Sequence, residues 1–397
     1  MRRFEDLIRK RQACDLYRDY STRTGVMGAE IEIEGRTYLN FSSNDYLGLA
    51  GDPRIADAAI SAIQRYGIGS GSAHLIVGHT DEHQRLEQEL AQWLGTERAL
   101  LFSTGYMANM GVINALIEPK GHVFEDALNH ASLLDGGLLS RGRMIRWPHR
   151  DIEALRQLMQ GCDPSRSLIV TDGVFSMDGD TAPLKALAEL ARETQTLLMI
   201  DDAHGIGVLG AQGRGCVEQA GLTFHDVPII MGTLGKAFGV FGAFVAGSDT
   251  LIDFLVQRAR TYIYTTAPPP ALAAAARAAL RLVVEESWRR DHLMSLIKYF
   301  RHNATALGLA LGASETPIQP LLCGDSRRAL MISRQLAQQG IWVTPIRPPT
   351  VPEGSARLRI SLSAAHQKEH IDQLLSALSQ CLRVDESVQT DKPRQQE

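Results

Sequence analysis

The sequence predicts an α/β protein, with a large domain built on a mostly parallel sheet covered by helices and a smaller α+β domain at the C-terminal end. Three observations predict this. Between about Leu100 and Gly247 the short β-rich runs SLIVTDG, TLLMIDDAHG, PIIMGTLG and GAFVAGS occur with helical spacing such as TAPLKALAELARETQ between them. Strand–helix–strand alternation is the pattern of a parallel sheet with helices on its faces. Next, the triple proline Pro268–Pro270 breaks the chain ahead of an Ala/Arg/Leu-rich helical stretch from Ala271 to about Leu311. Finally, IQPLLCG, IWVTPIRPPTVP and RLRISLSA, followed by the helical HIDQLLSALSQCL, read as a small α+β segment.

A chain of 397 residues exceeds one simple core and predicts more than one domain. The expected division is an N-terminal arm over 1–45, a large domain over 46–285, a small domain over 286–383 and a polar, disordered tail over 384–397. The arm opens on MRRFEDLIRKRQACDLYRDY, an amphipathic helix with charges throughout and no apolar stretch of signal-peptide length. The tail RVDESVQTDKPRQQE lacks apolar periodicity.

Composition narrows the function classes. Hydrophobic content of 44% with 22% charged residues is ordinary for a globular protein. A formal net charge of −4 gives no footing for nucleic acid or an acidic membrane as a partner. No segment approaches the roughly 20 apolar residues of a membrane span. The five cysteines are scattered, with no C-x-x-C pair, which points to reduced thiols in the cytoplasm and away from a metal site.

Ligands of parallel sheets sit beyond the carboxyl ends of the strands, and Asp172, Asp201, His204 and Thr233 stand at or just after the ends of these runs. LFSTGYMANMGVINAL reads as a strand, a turn and a helix start at Ser103–Gly105, where free N–H groups and the helix dipole favour an anion such as phosphate; an ordinary capped helix reads the same way. In DALNHASLLDG, His130 opens an apolar helix and is either a packed imidazole or one that lies against an aromatic ring. DGVFSMDGD offers Ser176 in a glycine-bounded loop that could be only a turn. In IDDAHG, Asp201 ends an apolar strand, a placement that demands a cation or donors unless the residue simply caps the next turn. Lys236 is the one charge in GTLGKAFGVFGAF; alone, it reads most simply as a stem on apolar surface with its ammonium in water.

Nucleotide readings fail. GIGSGSAHLIVGH is not a G-x-G-x-x-G at the right register, and in GTLGKA the lysine is followed by Ala237 while Ile230 occupies the place of the first Walker glycine. The order of the signals is more telling than any one of them. A phosphate-type loop, a histidine, a serine loop, a strand-end Asp-x-x-His and a Thr-x-x-Lys together make up the parts of a pyridoxal 5′-phosphate site.

On YLNFSSNDYLGL, GVFSMDGDTAPL, DDAHGIGVLG, GTLGKAFG and IRPPTVPEGSARLRISLSAAH, the chain resembles the α-oxoamine synthases of the fold-type I pyridoxal-phosphate enzymes, from about residue 5 to 383. The resemblance implies that Lys236 forms the imine with the cofactor, Asp201 meets its ring nitrogen, His204 its ring oxygen, and His130 stacks on the ring. It implies cofactor contacts from Gly105, Tyr106, Ser176 and Thr233. It places Arg18, Asn44, His130, Thr350 and Arg359 on the substrate side, with Arg359 pairing the amino-acid carboxylate. Thr265 and Thr266 would reach the phosphate of a partner subunit, which implies a homodimer with shared sites. The implied reaction is the decarboxylative condensation of L-alanine with a pimeloyl thioester, pimeloyl-CoA or pimeloyl-acyl-carrier protein, in biotin biosynthesis. Other α-oxoamine synthases, such as glycine acetyltransferase, 5-aminolevulinate synthase or a signal-molecule synthase, remain the alternative. The loop GSGSAHL departs from the more glycine-rich family form and leaves the acyl preference open.

Overall fold

The computed structural model describes residues 2–390. The chain divides into two compact units, one of Leu49–Ser176 with Asp180–Arg290, the other of Met1–Gly48, Met177–Gly179 and Asp291–Glu397.

The larger unit is built on a seven-stranded sheet. In chain order its strands are β1 (Arg98–Phe102), β2 (His122–Asp126), β3 (Arg143–Trp147), β4 (Ser167–Asp172), β5 (Leu197–Asp201), β6 (Ile229–Thr233) and β7 (Ala243–Gly247). Across the sheet they lie in the order β1-β7-β6-β5-β4-β2-β3. Strands β2 to β6 run parallel. Only β7 is antiparallel to its neighbours β6 and β1. All six residues of β4 are buried, as befits a central strand covered on both faces.

One face of the sheet is closed by the helix Gly105–Leu116, whose Ala108, Val112 and Ile113 are fully buried. They pack in one cluster with Leu133, Val170, Met199, Met231 and Val245. That helix starts where Thr104 accepts the Met107 N–H at 3.1 Å, the N-cap geometry expected of threonine. The helix Pro53–Tyr66 is bounded by a similar device at Asp52 and by Gly67 at φ +81°, a conformation suited to glycine.

The smaller unit holds two sheets. Arg23–Thr24, Glu30–Ile33 and Arg36–Asn40 pair antiparallel, and Ile341–Trp342 joins the last in parallel. Ala356–Ser361 is the fully buried centre of the other, between Ile318–Gly324 and Thr344–Ile346. The helices Ser326–Gln338 and Lys368–Thr390 complete the unit. The tail expected over 384–397 is thus helical as far as Thr390, and 391–397 lie outside the described residues. Among the described residues no helix is long and apolar enough to cross a membrane.

Candidate active site

Four of the five parallel strands of the larger unit end in polar residues, Asp126, Asp172, Asp201 and Thr233. Asp172 and Asp201 stand in register as the last residues of β4 and β5, and Asp201 is paired in turn with Met231 of β6. Asp201 is 4% exposed. Its Oδ2 accepts from Asn109 Nδ2 at 2.7 Å and its Oδ1 from the Ala203 N–H at 3.0 Å. Burial, reinforced by the Asp201 charge, pushes Asp172 well above the usual carboxylate range. Asp172 also accepts the His130 N–H at 2.6 Å.

His130 caps the helix Ala131–Leu139, with its Nδ1 2.7 Å from Ser132 Oγ. Ser132 accepts in turn from Asn109 Nδ2 at 2.8 Å. A single chain of hydrogen bonds therefore links the exposed His130 ring to the buried Asp201 carboxylate. Tyr106 lies edge-on to His130, with ring centres 6.4 Å apart, and its hydroxyl donates to Asp135.

Lys236 sits in the turn between β6 and β7, half-buried, with Nζ 2.8 Å from the buried His204 Nε2. The turn closes through Gly239 N–H to Lys236 O at 2.9 Å. Gly239 has φ +68°, and a Cβ there would come within 2.3 Å of the Ala50 nitrogen. The glycines around Lys236 thus serve close packing and an unusual backbone. Thr233 Oγ1 accepts the Gly235 N–H at 3.2 Å and donates to Gly242 O at 3.0 Å, which holds the same turn.

Gly105 and Tyr106 open their helix, where first-turn amides have no intrahelical acceptor. Ser176 lies in a loop closed by the Phe175 N–H to Asp180 O hydrogen bond at 2.9 Å and by a Val174–Thr181 bridge. Thr265 is half-buried and Thr266 exposed, and Thr266 bridges to Ala73.

In the smaller unit, Arg359 is 7% exposed, with Nη1 2.9 Å from Ser361 Oγ and Nη2 3.1 Å from Asn44 Oδ1 and 3.4 Å from the Tyr46 hydroxyl. Burial raises the Tyr46 pKa against the lowering effect of Arg359. Arg18 donates to Thr350 Oγ1 at 2.9 Å, across 332 positions of sequence. Both line a cavity of about 780 Å³ whose walls include Met27, Ile31, Ile33 and Trp342. Sequence reasoning missed Asn109 and Ser132, which lie inside helices, and Tyr46; only the helical four-residue step from Gly105 to Asn109 could have pointed to the first.

Residues 36–378 match the family described as Aminotransferase class I and II. An 8-amino-7-oxononanoate synthase of Nitrosococcus oceani is 56% identical over 94% of this chain and 100% of its own. One from Saccharophagus degradans is 53% identical over 95% of each chain. The chain belongs to the class I and II aminotransferases, among the 8-amino-7-oxononanoate synthases. Solved structures agree. The 8-amino-7-oxononanoate synthase of Francisella tularensis superposes with a TM-score of 0.77 at 32% identity, over 88% of this chain and 98% of its own. A serine palmitoyltransferase from S. paucimobilis, solved with a bound PLP adduct, reaches a TM-score of 0.92 at 29% identity over 96% of this chain and 98% of its own.

Proposed function

We propose that this chain condenses L-alanine with a pimeloyl thioester, on coenzyme A or an acyl-carrier protein, with loss of carbon dioxide, to give 8-amino-7-oxononanoate for biotin biosynthesis. The observation that carries the reading is the pair of groups at the strand ends: a buried Asp201 carboxylate held by Asn109 and the Ala203 N–H, and a Lys236 amine 2.8 Å from His204 Nε2.

These residues fit pyridoxal 5′-phosphate. Asn109 Oδ1 is buried without a partner, and Asp201 is an acceptor set on the same strand-end edge as the lysine turn. The first-turn amides of Gly105 and Tyr106 suit a phosphate. When bound, the cofactor supplies an aldehyde for imine exchange with amines and a protonated ring that takes up an electron pair from the α-carbon.

Asp201 keeps the proton on the ring nitrogen, because an adjacent negative charge favours the protonated form. Lys236 would hold the cofactor through its amine and, once that amine is free, would serve as the base for the α-proton of L-alanine. His204 stands 2.8 Å from the lysine amine through Nε2 and would donate a hydrogen bond to the ring oxygen, which as a phenolate only accepts. His130 offers a flat imidazole face, oriented through Ser132. Arg359 presents a planar fork for the α-carboxylate, held by the neutral Ser361 and Asn44. Arg18 and Thr350 serve the polar far end of the acyl chain, and the apolar walls of their cavity serve its methylenes.

The substrate assignment predicts the outcome of a competition. With pimeloyl, acetyl, succinyl and decanoyl thioesters offered against L-alanine, glycine and serine, the pimeloyl–alanine pair gives the highest specificity constant. A higher constant for any other pair transfers the protein to another α-oxoamine synthase activity.

The active unit is a homodimer in which Thr265 and Thr266 serve the partner's phosphate. Light scattering at assay concentrations is expected to give the dimer mass, since obligate dimers bury large apolar interfaces and do not dissociate on modest dilution. A fully active monomer contradicts the shared site.

A further inference from the structure

His149 has no part in the chemistry above, yet it is held by two carboxylates at once. It follows β3 by two residues. Its Nδ1 lies 2.9 Å from Asp126 Oδ1, and its Nε2 2.9 Å from Asp180 Oδ2. The ring stands edge-on to Phe175 at 4.4 Å, and the side chain is 25% exposed. Both ring nitrogens meet acceptors, which only the imidazolium can satisfy as a double donor.

The two carboxylates belong to two different loops. Asp126 ends β2 and shapes the turn that follows: its Oδ1 accepts the Leu128 N–H at 2.8 Å, and its carbonyl accepts the Asn129 N–H at 3.1 Å. The next residue is His130. Asp180 closes the other loop by accepting the Phe175 N–H on its carbonyl, and Ser176 is the next residue there. The remaining charge against this group is Arg150, whose Nη1 donates to Asp180 Oδ2 at 3.0 Å and whose N–H donates to Asp126 Oδ2 at 2.9 Å.

We propose that the His149 imidazolium is a positioning residue that ties the turn carrying His130 to the loop carrying Ser176, and so sets the cofactor-binding edge of the sheet. The inference rests on the reading that His130 and Ser176 contact the cofactor. Burial opposes the charge on His149, but the hydrogen bonds to Asp126 and Asp180 outweigh it and hold the imidazole pKa at about 9. A pKa raised above the ordinary 6.5 means the tie is fully made below that pH and is lost as the pH rises through about 9.

The test begins on the cofactor-free protein. An imidazole resonance of His149, assigned by its loss in His149→Gln, is expected to titrate near pH 9 by NMR, and in Asp180→Asn to titrate at lower pH. Pyridoxal 5′-phosphate is then titrated by absorbance. His149→Gln is expected to bind it roughly tenfold more weakly at pH 7, as befits the loss of charge-assisted hydrogen bonds, and Asp180→Asn to lose affinity at lower pH than the wild type. A His149 that titrates near its ordinary value overturns the tie itself, whatever the cofactor does. A raised pKa with unchanged cofactor affinity in folded His149→Gln and Asp180→Asn overturns its role at the site. Should His149→Gln fail to fold by circular dichroism, the wild-type resonance is assigned instead by its through-space contact with the Phe175 ring 4.4 Å away, and that titration together with Asp180→Asn decides.

Discussion

Lys236→Ala is expected to lower turnover by roughly three to six orders of magnitude, the scale seen when one group carries both covalent and proton-transfer duties. In the proposed reaction both duties, imine exchange and α-proton removal, fall on the same Lys236 amine. The fold should survive. Lys236 is half-buried in a turn closed by Gly239 and Thr233, and neither contact involves its amine. The check is single-turnover kinetics on a variant whose circular dichroism matches the wild type. Activity within tenfold of wild type removes Lys236 from the chemistry.

Asp201→Asn is the second large effect. The substitution keeps the shape of the side chain and removes the charge, so the ring nitrogen loses the partner that holds its proton. It also sets an amide against the Asn109 Nδ2 that now donates at 2.7 Å, leaving one buried polar atom mismatched. Catalysis is expected to fall by about a thousandfold, the order found when a preorganised electrostatic partner is removed, and cofactor affinity by a smaller factor. Kinetics measured at saturating cofactor separate the two effects. A variant that exchanges the α-proton of L-alanine into solvent at the wild-type rate makes Asp201 a structural residue only.

The parts of the site that were legible in the sequence stand at strand ends and turns. Asp172, Asp201 and Thr233 end apolar runs, and Lys236 is the lone charge among glycines, so each breaks a pattern that packing would otherwise keep. Asn109 and Ser132 break none. Asn109 sits within its helix and Ser132 in the first turn of its own, at buried positions that look like ordinary core, and only the hydrogen bonds to Asp201 and His130 give them a task.

The reversal of β7 was equally hidden. GAFVAGS is a continuous apolar run, and such a run is buried on both faces whichever way it points. Likewise RWPHRD reads as a turn of proline and charges, and nothing local shows that His149 meets Asp126 and Asp180 from distant loops. Arg18 and Thr350 entered only through the family resemblance, which placed each on the substrate side; the hydrogen bond between them spans almost the whole chain and left no local signal.

The family name includes aminotransferases, and an aminotransferase would use the same lysine and aspartate to turn L-alanine into pyruvate. One measurement separates that outcome from condensation. The holoenzyme is given L-alanine labelled with carbon-13 at the carboxyl carbon, together with pimeloyl thioester, and labelled carbon dioxide, thiol and products are followed by mass spectrometry. One labelled carbon dioxide and one thiol are expected for each unlabelled 8-amino-7-oxononanoate formed. Pyruvate that keeps the label, or thiol released without carbon dioxide, contradicts it.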